Sequence, residues 1–178
     1  MKKRRKKTIW VVVLMVILYF FLPLPFVTED QKIAIQQAAL YSVYNRGDFG
    51  QKESVKTLFV NIGEGEFLAT FFEIKENGSV FKIKDPSRQV IQALNGFPVE
   101  IRSGSEFVPT DPNWVSVVNE RGERGILLGV GPIIKSLGLA RCRTYYDAGP
   151  LNAAEYESFF IWTPFGWKNL FSFPYMKS

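Results

Sequence analysis

Residues 139–173 read LARCRTYYDAGPLNAAEYESFFIWTPFGWKNLFSF. Two runs dense in aromatic and aliphatic side chains, Leu139–Tyr146 and Glu155–Trp162, stand on either side of a turn built on Gly149-Pro150. Gly166 then divides Trp162 from a third run, Trp167–Phe173. Short runs separated by glycine and proline predict consecutive antiparallel strands. Upstream, Val115–Asn119 and Gly125–Val130 flank the polar stretch Glu120-Arg121-Gly122-Glu123-Arg124 and extend the pattern. Along the first run Ala140, Cys142 and Thr144 share one face, because successive side chains alternate across a strand. In the second run Phe160 and Trp162 fall on one face and Phe159 and Ile161 on the other, so both faces carry apolar bulk. One of them must be core, and Trp162 is expected there with Phe160, Tyr156 and Cys142.

Before this meander a helix is predicted. Thr28 followed by Glu29, Asp30 and Gln31 reads as a capping box, and the acidic pair suits a helix N-terminus. The helix should run to about Tyr44 and stop at Asn45-Arg46-Gly47, with Gly47 in the left-handed conformation. Ile35, Ala38, Ala39 and Val43 form one apolar stripe, whereas Ile33, Leu40 and Tyr44 populate another side, so the helix needs covering on two sides. Lys56–Asn61 reads as a strand and Ser87–Leu94 as a short helix. Glu66–Ile74 carries phenylalanines at helical spacing, and Asn77-Gly78 reads as a turn before Ser79–Lys84. A helix followed by an antiparallel meander is an α+β pattern, and the order of elements suggests a cystatin-like or NTF2-like cone.

The chain opens on Lys2, Lys3, Arg4, Arg5, Lys6 and Lys7, which run into the uncharged stretch Ile9–Leu22. A cation cluster beside an apolar run stays on the cytoplasmic side, so these six residues set topology. The uninterrupted run is short of the roughly 20 residues of a full span, and Leu24 and Phe26 extend it past two prolines. No pair of small residues follows it at the spacing a signal peptidase needs, which favours an uncleaved anchor. The expected organisation is a cytoplasmic basic segment at 1–7, a transmembrane signal anchor at 8–26 and an extracytoplasmic α+β domain at 27–178. The protein would then be single-pass in the cytoplasmic (inner) membrane, with the lipid bilayer as its first partner.

Charge excludes one class of function. The chain holds 22 Lys and Arg against 17 Asp and Glu, a net of +5, but the six cations at 2–7 precede every acid. The outer domain therefore carries 16 positive and 17 negative residues. It has no electrostatic footprint for nucleic acid. Residues 27–178 suffice for one domain with its own core. Histidine is absent and Cys142 is the single cysteine. Nucleophilic triads in their usual form and imidazole-liganded metal sites are thus excluded, as is an intramolecular disulfide. No catalytic, cofactor-binding or metal residues are assigned and no cofactor is expected. Cys142, on a strand face with Ala140 and Thr144, is expected to be a buried free thiol.

Tyr145-Tyr146, Gly149-Pro150-Leu151, Ala153-Ala154, Tyr156 and Gly166-Trp167 resemble the C-terminal hairpin of a group of uncharacterised bacterial secreted or membrane-anchored domains. Gly125–Ile133 is similar as well. The sequence departs from that pattern at Glu155 and at Lys168-Asn169. The resemblance implies a bacterial envelope protein on an antiparallel hairpin scaffold, and it implies no activity.

Two function classes remain. The first is a non-enzymatic module binding an envelope protein or envelope polymer, with Arg141, Arg143, Tyr145 and Phe159 as the candidate interaction surface. The second is a carboxylate-based hydrolase acting on cell-wall or sugar substrates through Glu155 and Glu157, or Glu64 and Glu66. Glu155 and Glu157 share a strand face that cross-strand pairing brings opposite Arg141 and Arg143. That placement reads more simply as a solvated charge pair.

Overall fold

The computed structural model describes residues 9–17, 27–47, 49, 52–62, 84–106, 108–109, 117–118, 120–149 and 152–177. The predicted elements at Glu66–Ile74 and Asn77–Gly78 lie outside them, as do Glu64, Glu66 and the six cations at 2–7. Residues 9–17 form a helix, α1, with every side chain exposed. The rest of the expected anchor falls outside the described residues, and among those described no helix is long and apolar enough to cross a membrane.

Glu29–Arg46 forms α2. Thr28 caps it as the sequence predicts, its hydroxyl accepting from the Gln31 N–H. The C-terminus differs from expectation. Gly47 has φ −58° and ψ 130°, an extended conformation, although its N–H still donates to the Val43 carbonyl. The glycine answers a steric need instead: a Cβ there would lie 2.0 Å from the Phe49 ring.

The fold is α+β around a mixed sheet. Its path is β2 (Glu100–Ser103), β1 (Thr57–Asn61), β5 (Gly125–Val130), β7 (Leu139–Asp147), β8 (Ala153–Thr163) and β9 (Gly166–Lys177), with β6 (Ile134–Lys135) paired beside β7. A separate antiparallel pair joins β3 (Val108–Pro109) to β4 (Val117–Val118). The expected antiparallel meander is correct for β5, β7, β8 and β9. On the other flank β1 lies parallel to both β2 and β5. A sheet of this mixed order is not the all-antiparallel meander on which the cone expectation rests. The parallel flank explains why β1 and β5 are buried along their whole length, since parallel strands carry cover on both faces.

The core lies between α2 and one face of the sheet. Ile35, Ala39, Leu40 and Val43 pack against Leu58, Val60, Ile126, Leu128, Val130, Cys142 and Phe160. The second apolar side of α2 meets α3 (Arg88–Ala93), capped by Ser87, and the turn after it. There Tyr41 stacks on Phe97 at 4.1 Å and the Gln37 amide donates to the Ala93 carbonyl at 2.6 Å. A hydroxyl ladder crosses the helix-facing side of the sheet: Thr144 to Ser158 at 2.7 Å, Ser158 to Ser172 at 2.8 Å. The buried Thr144 and Ser158 and the half-buried Ser172 satisfy one another, so burial leaves none of them orphaned. Cys142 is a buried free thiol, and burial pushes its ionisation well above the ordinary range.

Trp162 is not core. It is about half exposed, whereas its cross-strand partner Trp167 is buried. β7 ends at Leu139 opposite Ile161, so Trp162 stands one residue beyond its neighbour strand, between the turn at Gly138 and Trp167 of β9.

Candidate interaction surface

The face of β7, β8 and β9 turned away from α2 is built by register. Arg141 stands opposite Phe159, and Phe159 opposite Phe171; Arg143 stands opposite Glu157, and Glu157 opposite Phe173. Strict alternation would put Trp167, Asn169, Phe171 and Phe173 on one face. The β8–β9 register shifts between Phe159 and Phe160, which pair with Phe171 and Asn169 and leave Leu170 as the extra residue. A bulge of this kind re-aims everything beyond it. Trp167 and Asn169 therefore face the helix, while Phe171 and Phe173 face outward. The Asn169 amide sits across the irregularity, 3.3 Å from the Phe159 carbonyl and 3.4 Å from that of Phe171. Its oxygen accepts from Arg46 at the end of α2.

Three outward rings meet. Phe159 and Phe171 lie 4.7 Å apart, Phe171 and Phe173 5.2 Å, Phe159 and Phe173 6.2 Å, in tilted and edge-on arrangements typical of favourable aromatic contact. Phe173 remains 59% exposed and Tyr175 55%. Beside them Arg143 lies over the Tyr175 ring at 4.4 Å. Its guanidinium also faces both nearby carboxylates, 3.6 Å from Glu155 and 3.9 Å from Glu157. The two glutamates thus share one cation, which is ion pairing rather than an acid–base pair across a cleft. The expected solvated pair is corrected at Glu155, which is buried beside Tyr145, while Glu157 is half-buried.

Of the four residues expected on this surface, Arg141 is exposed, and Arg143 and Phe159 are partly so. Tyr145 is a correction. It is buried, with its hydroxyl accepting from the Asn61 amide at 2.6 Å and its ring over Gly129. Burial pushes its phenol well up. The outer face is therefore closed over β5, the end of β7 and Glu155 at the start of β8, and open over the rest of β8 and β9. Phe171, Phe173 and Tyr175 are not among the expected surface residues. Their i, i+2 spacing is a usable signal in the sequence, but the bulge that decides the face of Phe171 and Phe173 leaves none.

A groove of about 530 Å³ lies on the other side, between α2 and the start of β9, where Gln37, Tyr41, Asn45, Trp167 and Lys168 contribute to the wall. No carboxylate lines it among the described residues. Nor does any group of His, Cys, Asp and Glu among them suit a metal ion. Comparison with family models, with curated proteins and with solved structures returns no match to this chain.

Proposed function

We propose that this protein is a single-pass, membrane-anchored binding module of the bacterial cell envelope, non-enzymatic, whose outer domain engages another envelope protein or an envelope polymer. The observation that carries the reading is the open ring cluster Phe159–Phe171–Phe173 with Tyr175 and Arg143 beside it. Exposed aromatic groups next to arginine are the usual anchors of an interface. The transmembrane part rests on the sequence: six cations followed by an apolar run. The pairing of Glu155 and Glu157 with Arg143 supports the binding reading over a hydrolase built on those two carboxylates; Glu64 and Glu66 lie outside the described residues.

The test uses a photoreactive amino acid at Tyr175 in intact membranes. It should cross-link a discrete partner, and the double variant Phe171→Ser, Phe173→Ser should abolish that product while changing stability by under about 0.5 kcal/mol per site, as for exposed positions. An unchanged cross-link would remove this surface from the reading.

A further inference from the structure

The two ends of the domain differ in chemistry. At one end the turn between β6 and β7 carries Leu137, and the turn between β8 and β9 carries Phe165. Trp162 joins them through its N–H, which donates to the Gly138 carbonyl at 2.9 Å. Phe165 is 88% exposed, and Leu137, Trp162 and Ile134 are each about half exposed. The opposite end carries the Glu120–Arg124 turn and the start of β1, where Lys56 donates to the Arg124 carbonyl.

The direction of α2 fixes which end meets the preceding chain. Tyr44, near the C-terminus of α2, contacts Phe49, and Phe49 meets Tyr146 edge-on at 4.9 Å. Tyr146 pairs with Ala154, at the end of the sheet far from the apolar turns. From Tyr44 back to Glu29 the helix covers about 22 Å. From Ala154 to Ile161 the strand covers about 23 Å. The first turn of α2 thus reaches the end that holds Leu137, Trp162 and Phe165, and Ala34 and Ala38 line the groove beside Phe165 and Trp167. Residues 1–26 therefore lead into the domain at its apolar end, with only Val27 and Thr28 between Phe26 and the helix.

We propose that this end of the domain rests in the interfacial layer of the bilayer, with Leu137, Trp162 and Phe165 immersed, as a second membrane contact beside the anchor. The inference rests on the anchored reading above. The occupant is lipid because the anchor delivers this end to the bilayer surface, and an aromatic residue with a long apolar neighbour is the composition that interface accepts. Charge is present at this end as well. Lys32 is paired with Glu29 at 3.6 Å with Asp30 in the same turn, while Arg141, opposite Ile134, and Lys168 are exposed cations, so the salt dependence separates attraction from immersion.

The experiment uses the full chain in vesicles of phosphatidylethanolamine and phosphatidylglycerol, with a polarity-sensitive fluorophore on Phe165→Cys, Leu137→Cys or, at the far end, Glu53→Cys. Cys142 is buried and remains unlabelled. Spin-labelled lipid should quench the labels at 165 and 137 about threefold more than the label at 53, as for side chains entering the headgroup boundary by about 5–10 Å, with no change in high salt. Vesicle flotation reports the anchor separately. A chain that floats while all three labels quench alike overturns the immersed end and leaves the anchor standing. Energy transfer between copies labelled at 165, without lipid quenching, assigns the apolar end to a second copy and also overturns it. Quenching that salt abolishes would mean charge attraction instead of immersion. A chain that does not float retires anchor and proposal together.

Discussion

At the scale of single residues, close approach rather than chemistry explains several positions. Gly129 lies directly opposite Tyr145, and a Cβ there would sit 1.7 Å from the phenol ring. The ring cannot retreat, because its hydroxyl is held by Asn61, whose own oxygen accepts from the Lys84 N–H. Gly129→Ala should therefore destabilise the protein by about 1–3 kcal/mol in denaturant unfolding, the usual range for overpacking. Asp147 offers a second measurement. It is buried at the end of β7 with its Oδ1 accepting from the Gly149 N–H. Burial pushes its carboxyl up to about 7, against the opposing effect of that hydrogen bond. A carboxyl raised above its unfolded value binds its proton more tightly when folded. Stability should be full below about pH 4, fall as pH rises by at most about 1.4 kcal/mol per unit, and level off above about pH 7. Asp147→Asn keeps an acceptor for Gly149 and should flatten that slope; an unchanged pH profile would assign it to other groups.

At the scale of elements, the β8–β9 hairpin carries the contrast that matters. Phe160 is fully buried under α2, whereas Trp162, two residues on and on the same face, stands beyond the end of β7. Phe160→Ala should cost about 3–5 kcal/mol, while Trp162→Ala should cost under about 1 kcal/mol, both measured by the unfolding midpoint. Equal costs would mean that α2 covers the hairpin turn after all. Alternation along β8 was legible in the sequence, and it assigned Phe160 correctly. It failed at Trp162 because burial depends on where the neighbouring strand stops, which no local pattern records. On β9 it failed for another reason: the extra residue Leu170 lets Trp167 and Phe171, four residues apart, serve opposite faces.

At the scale of the whole molecule, the charges divide cleanly between a basic leader and a nearly neutral domain. Topology should follow the leader. A reporter active only outside the cytoplasm and fused after Ser178 should be active, and replacing Lys2, Lys3, Arg4, Arg5, Lys6 and Lys7 by neutral residues should lower its activity as the orientation bias disappears. Full reporter activity in that variant would mean that another segment sets orientation. The aromatic surface and the apolar end occupy different parts of the domain, so the tests of each are independent.

The sequence by itself determined the helix start at Thr28, the two C-terminal hairpins, the short helix capped by Ser87, the buried state of Cys142 and the absence of nucleophilic triads built on histidine. All of these follow from local signals: caps, turn residues, side-chain alternation and composition. Only the tertiary structure decided that β1 inserts in parallel between β2 and β5, since pairing of strands about 65 residues apart leaves no mark on local periodicity. It also decided that Tyr145 turns into a closed part of the sheet while Phe171 and Phe173 remain open. Those outcomes depend on cover supplied by distant segments and on one inserted residue in an edge strand, and neither is encoded in the run of sequence that carries the side chains.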